Sequence, residues 1–156
     1  MKKFIKVLVV ALCTLLLVGC SSKEKNVITT CTLTSDQSAS GYKLNSTYKI
    51  YSTNDAVTKV ETTEVVTSDN EAIRDYFVST LETSYKTADK AYGGYTYEVI
   101  NEYDKVTSTV TIDYTKMDLN KFIKDNSSMK SYVNKDNKIT LAGAKNIYES
   151  LGATCK

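Results

Sequence analysis

Alternation with a period of two residues recurs along this chain, and it restricts the fold to an antiparallel sheet with one covered face. In "VITTCTL", Val27, Thr29, Cys31 and Leu33 share one side. Between Leu44 and Tyr51, the residues Leu44, Ser46, Tyr48 and Ile50 do the same. Val57 to Thr67 is a third run of less regular periodicity, and its β-branched residues favour a strand over a helix. Beyond Gly93-Gly94, the residues Tyr95, Tyr97, Val99 and Tyr103 open a hairpin. It returns through Val106, Val110, Ile112 and Tyr114, with Thr107, Thr109, Thr111 and Asp113 on the opposite side. Turn-rich segments, "SDQSASGY" and "STND", separate the first three strands.

Between the two groups of strands the period changes to that of a helix. Ser68-Asp69-Asn70-Glu71 has the form of a capping box. Behind it Ile73, Phe77, Leu81, Tyr85 and Ala88 recur along one stripe until Gly93-Gly94 stops the helix. Asp118 is placed to cap a short helix bearing Leu119, Phe122 and Ile123, and "KDNSSMKSYVNKDNK" follows as a polar connection. Thr140 opens a last helix with Leu141, Ala144, Tyr148 and Leu151 facing inward, and Gly152 stands at the left-handed cap. The expected class is α+β: about five antiparallel strands in the order β-β-β-α-β-β-α-α, with helices packed on one face. "YKIYSTNDAVTKVETTEV" (Tyr48 to Val65) also aligns without a gap on "YEVINEYDKVTSTVTIDY" (Tyr97 to Tyr114), which suggests a repeated ββα unit.

The N-terminus carries an address. Lys2, Lys3 and Lys6 precede an apolar run from Val7 to Val18, the layout of a secretory signal. The run is shorter than the roughly 20 residues a membrane-spanning helix needs. It ends in Leu17-Val18-Gly19-Cys20, which resembles the lipobox of bacterial lipoproteins. The resemblance implies cleavage after Gly19 and a diacylglyceryl group on the sulfur of Cys20, since a thiolate is the nucleophile that accepts such a group. Two acyl chains hold a protein at a membrane stably, where one does so marginally. The expected organisation is therefore a signal peptide over 1–19, a lipidated cysteine and polar tether over 20–26, and one α+β domain over 27–156. The location that follows is the extracytoplasmic face of a cell membrane.

Charge and composition then narrow the function. Three of the 20 basic residues lie in the signal, leaving 17 against 18 acidic residues and a net charge of −1 for the mature chain. That balance offers no basic footprint for nucleic acid. The chain has no histidine, which removes Ser-His-Asp and Cys-His catalysis and imidazole-based zinc sites. No phosphate-cradling glycine loop, calcium loop or C-x-x-C pair occurs, so no cofactor or metal is expected. Carboxylate chemistry stays open as an alternative, an extracytoplasmic hydrolase relying on Glu98, Glu102 or Asp113, with Glu98 and Asp113 meeting across the second hairpin. Tyr48, Tyr95, Tyr97 and Tyr114 fall on predicted inner faces, whereas Tyr42, Tyr51 and Tyr132 do not, and an exposed aromatic ring is able to anchor a protein or glycan.

Cys31 and Cys155 are expected to form a disulfide. Export brings both thiols to a compartment where the bond persists, and joining them would pin the terminal helix to the first strand.

"TVTIDYTKMDLNKFIKD", followed by "KITLAGAKNIYESLGATCK", resembles the C-terminal half of the YehR-like lipoproteins, also described as the DUF1307 family. The resemblance rests on a strand ending in "DYTK", an acidic cap with a "DL" helix, and a terminal helix. It implies an antiparallel sheet packed by helices and a membrane-anchored place, and it implies no activity. The expected role is a non-catalytic binding or accessory module of the cell envelope, held to the membrane through Cys20 and engaging an envelope protein, peptide or glycan.

Overall fold

A computed structural model describes residues 24–156. Six strands form one fully antiparallel sheet in the order β4-β5-β3-β2-β1-β6. They are β1 (Asn26–Gln37), β2 (Tyr42–Thr53), β3 (Ala56–Thr67), β4 (Tyr95–Asn101), β5 (Lys105–Asp113) and β6 (Thr154–Cys155). Three α-helices accompany them: α1 (Glu71–Tyr92), α2 (Leu119–Asp125) and α3 (Leu141–Ser150). The expected α+β class and the order of elements up to α3 match. The sixth strand is an addition, and at two residues it is too short to leave a periodic signal.

The register shows why alternation dictated the architecture. Cys31, Tyr48, Thr62, Val110 and Tyr97 stand opposite one another across five strands. So do Thr29, Ile50, Val60, Ile112 and Tyr95. These residues line the covered face, where Cys31, Ile50, Val60 and Val106 are completely buried. Both longer helices lie on this face. Tyr85 of α1 reaches Glu64 and Ser108, and Tyr148 of α3 stacks on Tyr48 with ring centroids 4.2 Å apart. Removal of large apolar area from water on this face drives its assembly.

Several local expectations need correction. The capping box over Ser68 to Glu71 does not form. Asn70 is the N-cap and its side chain accepts from the Ala72 N–H at 3.0 Å, while the Ser68 hydroxyl donates to the Gly41 carbonyl at 2.6 Å. The Ile73 stripe of α1 is only half-buried, and the one buried residue of that helix is Arg74. Its Nη1 donates to the Ser68 carbonyl at 2.7 Å, so a cation at the helix start closes the end of β3. Tyr103 belongs to the β4–β5 turn and is 94% exposed. Leu151 likewise points outward, 60% exposed, because the chain leaves α3 there through a Schellman turn: Gly152 N–H donates to Glu149 O and Ala153 N–H to Tyr148 O. The polar connection after α2 contains a 3-10 helix, Ser127–Tyr132, and a bridge between Val133 and Ile139. Asp118 and Thr140 cap α2 and α3 as expected, accepting from the N–H groups of Lys121 and Gly143.

The gapless repeat holds for one strand only. β2 and β4 superpose in phase, but a bulge at Tyr51/Ser52 shifts the β2–β3 pairing. Thr62 therefore lies on the covered face, whereas its counterpart Thr111, in register with Glu61, lies on the open one.

Cys31 and Cys155 are joined by a disulfide, directly opposite each other on β1 and β6. Paired backbone hydrogen bonds between Thr30 and Lys156 flank it.

Candidate functional site

Three places hold polar chemistry: a cluster under the helices, the uncovered face of the sheet, and the pole where the chain enters β1. The first centres on Glu64 of β3, which stands in register between Ser46 of β2 and Ser108 of β5 on the covered face. Tyr85 Oη donates to Glu64 Oε2 at 3.3 Å, and Ser108 Oγ lies 3.4 Å from Tyr85 Oη. Burial raises the Glu64 carboxyl above its ordinary range, against the partial relief of the hydrogen bond from Tyr85. Burial also pushes the Tyr85 phenol up to about 12 and raises those of Tyr114 and Tyr148. The phenols stay neutral, and that of Tyr85 donates to the Glu64 carboxyl. This arrangement is a half-buried hydrogen-bonded group between α1 and the sheet, and no short motif announces it.

The open face is dominated by threonine. Thr32, Thr47, Thr63 and Thr109 are directly opposite one another on β1, β2, β3 and β5, with Thr154 of β6 and Glu98 of β4 at the ends of the row. The next row reads Thr30, Lys49, Glu61, Thr111 and Thr96. Beside it Tyr51 Oη donates to Glu61 Oε2 at 2.6 Å, Lys59 Nζ donates to Glu61 Oε1 at 2.6 Å, and the ammonium sits 4.1 Å above the Tyr51 ring. Hydrogen bonds from Lys59 and Tyr51 hold the Glu61 carboxyl below its ordinary range. Tyr51 thus stands on the open face, outside the core, as its position in the alternation required. Tyr42 instead packs edge-on against Phe77 at 5.1 Å, and Tyr132 is half-buried. The most exposed tyrosines are Tyr103, which the alternation groups with Tyr95 and Tyr97, and Tyr76 on α1.

The candidate catalytic carboxylates do not converge. Glu98 is opposite Thr109, four residues along β5 from Asp113. Asp113 pairs with Lys116 at 3.2 Å and accepts from the Thr115 hydroxyl at 2.6 Å, and the Thr115 bond, with Lys116 behind it, keeps its carboxyl low. Glu102 lies in the β4–β5 turn, paired with Lys105 at 3.3 Å. Among the described residues no cluster of three or more Cys, Asp or Glu side chains is grouped to hold a metal.

At the pole where the chain enters, the backbone of Lys25 is pinned to the β2–β3 turn. Lys25 N–H donates to Asn54 Oδ1 at 3.0 Å and Asn54 N–H to the Lys25 carbonyl at 2.9 Å. A cleft of about 780 Å³ opens beside this point, bounded by Glu24, Asn54, Tyr114, Asn120 and Lys138. A second, of about 680 Å³, adjoins it. The proposed lipidation site Cys20 lies outside the described residues. Among those residues, no helix is long and apolar enough to cross a membrane.

No family model and no curated protein matches the chain, so the DUF1307 label has no support. The NMR structure of a protein from Streptococcus pneumoniae TIGR4 aligns over 90% of both chains at 16% identity, with a TM-score of 0.47. The NMR structure of the E. coli YehR protein is similar at a TM-score of 0.52 and 16% identity, over 85% of this chain and 92% of that one. The likeness read from "DYTKMDL" is thus matched across most of the chain, and the fold is YehR-like.

Proposed function

We propose that this chain is a lipid-anchored, extracytoplasmic module of the bacterial cell envelope, with a binding or accessory role and no catalysis of its own. The observation that carries the reading is the short distance between the Leu17-Val18-Gly19-Cys20 motif and the fold. Glu24 stands only four positions after Cys20, and by Lys25 the backbone is already tied to the β2–β3 turn. A cysteine so placed serves as an attachment point rather than as part of the domain. The separation of Glu98, Glu102 and Asp113 lends no support to a carboxylate hydrolase, whose two acidic groups must face each other across a substrate. The uncovered sheet face, with its threonine rows and Tyr51, offers a broad hydrogen-bonding surface of the kind a protein, peptide or glycan would engage.

Expression of wild type and Cys20→Ala in the native host, followed by fractionation, tests the anchor. Wild type is expected in the membrane fraction and the variant in the soluble extracytoplasmic one. Equal membrane retention of the two would sink the reading.

A further inference from the structure

The pole at which the tether enters also carries a cluster of unpaired lysines. Residues 115–138 contain six lysines and three aspartates, whereas the mature chain as a whole is acidic by one charge. Two of those lysines are neutralised locally, Lys121 by Asp125 at 2.7 Å and Lys116 by Asp113. The 680 Å³ cleft at this pole is lined by Lys124, Lys130 and Lys135 together with Asn120, Asn134 and Asn137, over a floor of Ile123 and Val133. No carboxylate borders it, and its three lysines are exposed and form no ion pair among the described residues. Asn137 Nδ2 donates to Asn120 Oδ1 at 3.1 Å, tying the loop after the 3-10 helix to α2 and fixing the rim. The cleft shares Asn120, Asn134 and Asn137 with the neighbouring one that Glu24 borders.

We infer that this lysine cleft seats the headgroup phosphates of anionic phospholipids and so sets the face that the domain turns to its membrane. The inference rests on the anchor proposed above. Four residues of extended chain reach roughly 14 Å. A diacylglyceryl group on Cys20 therefore holds the entry pole close to the bilayer surface, where the negative surface potential acts. Lysine ammonium groups serve as point-charge donors to phosphate oxygens, and asparagine amides supply the remaining hydrogen bonds. The far pole, with the β4–β5 turn and Tyr103, is then directed away from the bilayer, and the threonine face stands roughly along the membrane normal, open to the side.

The test uses the mature chain from Cys20 to Lys156. With Cys31 and Cys155 bonded to each other, Cys20 is the one free thiol, and maleimide-bearing lipid couples it to vesicles. Lysine reactivity is then mapped by amine labelling and mass spectrometry on phosphatidylcholine vesicles and on vesicles also containing phosphatidylglycerol. On the anionic vesicles Lys124, Lys130 and Lys135 are expected to react roughly fivefold more slowly, the factor equivalent to ~1 kcal/mol for each lysine at a charged surface. Lys43 and Lys105, at the far pole, should not change. High salt should abolish the difference. Equal labelling on the two vesicle types would overturn the inference. So would protection of the cleft by inorganic phosphate in solution without vesicles, which would assign it to a soluble anion. Because the coupling is chemical, neither result depends on lipidation in the cell, and a failed fractionation of Cys20→Ala would count against the anchor alone.

Discussion

At the scale of single residues, the two informative positions are a half-buried carboxyl group and a helical glycine. Glu64 has a carboxyl raised by burial in the folded chain. The folded state therefore binds its proton more tightly than the unfolded state does. Its contribution to stability is full below the unfolded carboxyl pKa and is lost as pH rises through the folded one. Glu64→Gln, which keeps an acceptor for Tyr85 without the charge, should melt above wild type at neutral pH, and the gap should close as the solution is acidified. A variant that melts lower than wild type at neutral pH would show that the charge is stabilising. Gly143 makes the opposite kind of argument. An alanine in a helix ordinarily gains about 1 kcal/mol over glycine. A Cβ at Gly143, however, would lie 2.8 Å from Tyr132 Cα and closer still to the Tyr132 carbonyl oxygen. Because the obstacle is backbone, Gly143→Ala should lose roughly 1–3 kcal/mol in a urea titration, and a gain would contradict the close packing of the 3-10 helix on α3.

Between elements, the join of β6 to β1 is the most consequential. Two residues of strand have little stability alone, and the Cys31–Cys155 bond closes a separation of 124 residues. Replacing both cysteines by alanine should cost roughly 2–5 kcal/mol, read as a drop in the denaturant midpoint. Unchanged stability would mean that the bond does not form in solution. The elements themselves were largely legible. Alternation at Leu44, Ser46, Tyr48 and Ile50 named the covered face, and the stop at Gly93-Gly94 and the caps at Asp118 and Thr140 placed helix ends correctly. What escaped was set by distant contacts. Ser68 looks like a cap but is drawn off to the Gly41 carbonyl, which leaves Asn70 to cap α1. Arg74 is buried because the end of β3 offers it a carbonyl. The lysine cleft gathers Lys124, Lys130 and Lys135 from α2, the 3-10 helix and the following loop, so no short motif announces it. The disulfide, by contrast, needed only two cysteines and an exported setting.

For the whole molecule, the sheet has a covered side that holds it together and an uncovered side rich in threonine, and the chain enters at one pole. The proposed anchor at Cys20 would leave the threonine face open to the side and bring the lysine cleft to the headgroups. Mass spectrometry of the N-terminal peptide from membrane-extracted protein tests this most directly. The proposed anchor predicts a peptide that begins at Cys20 and carries a diacylglyceryl group on its sulfur. A peptide that continues through Gly19 into the preceding residues, or one that begins at Cys20 with a free thiol, would contradict it.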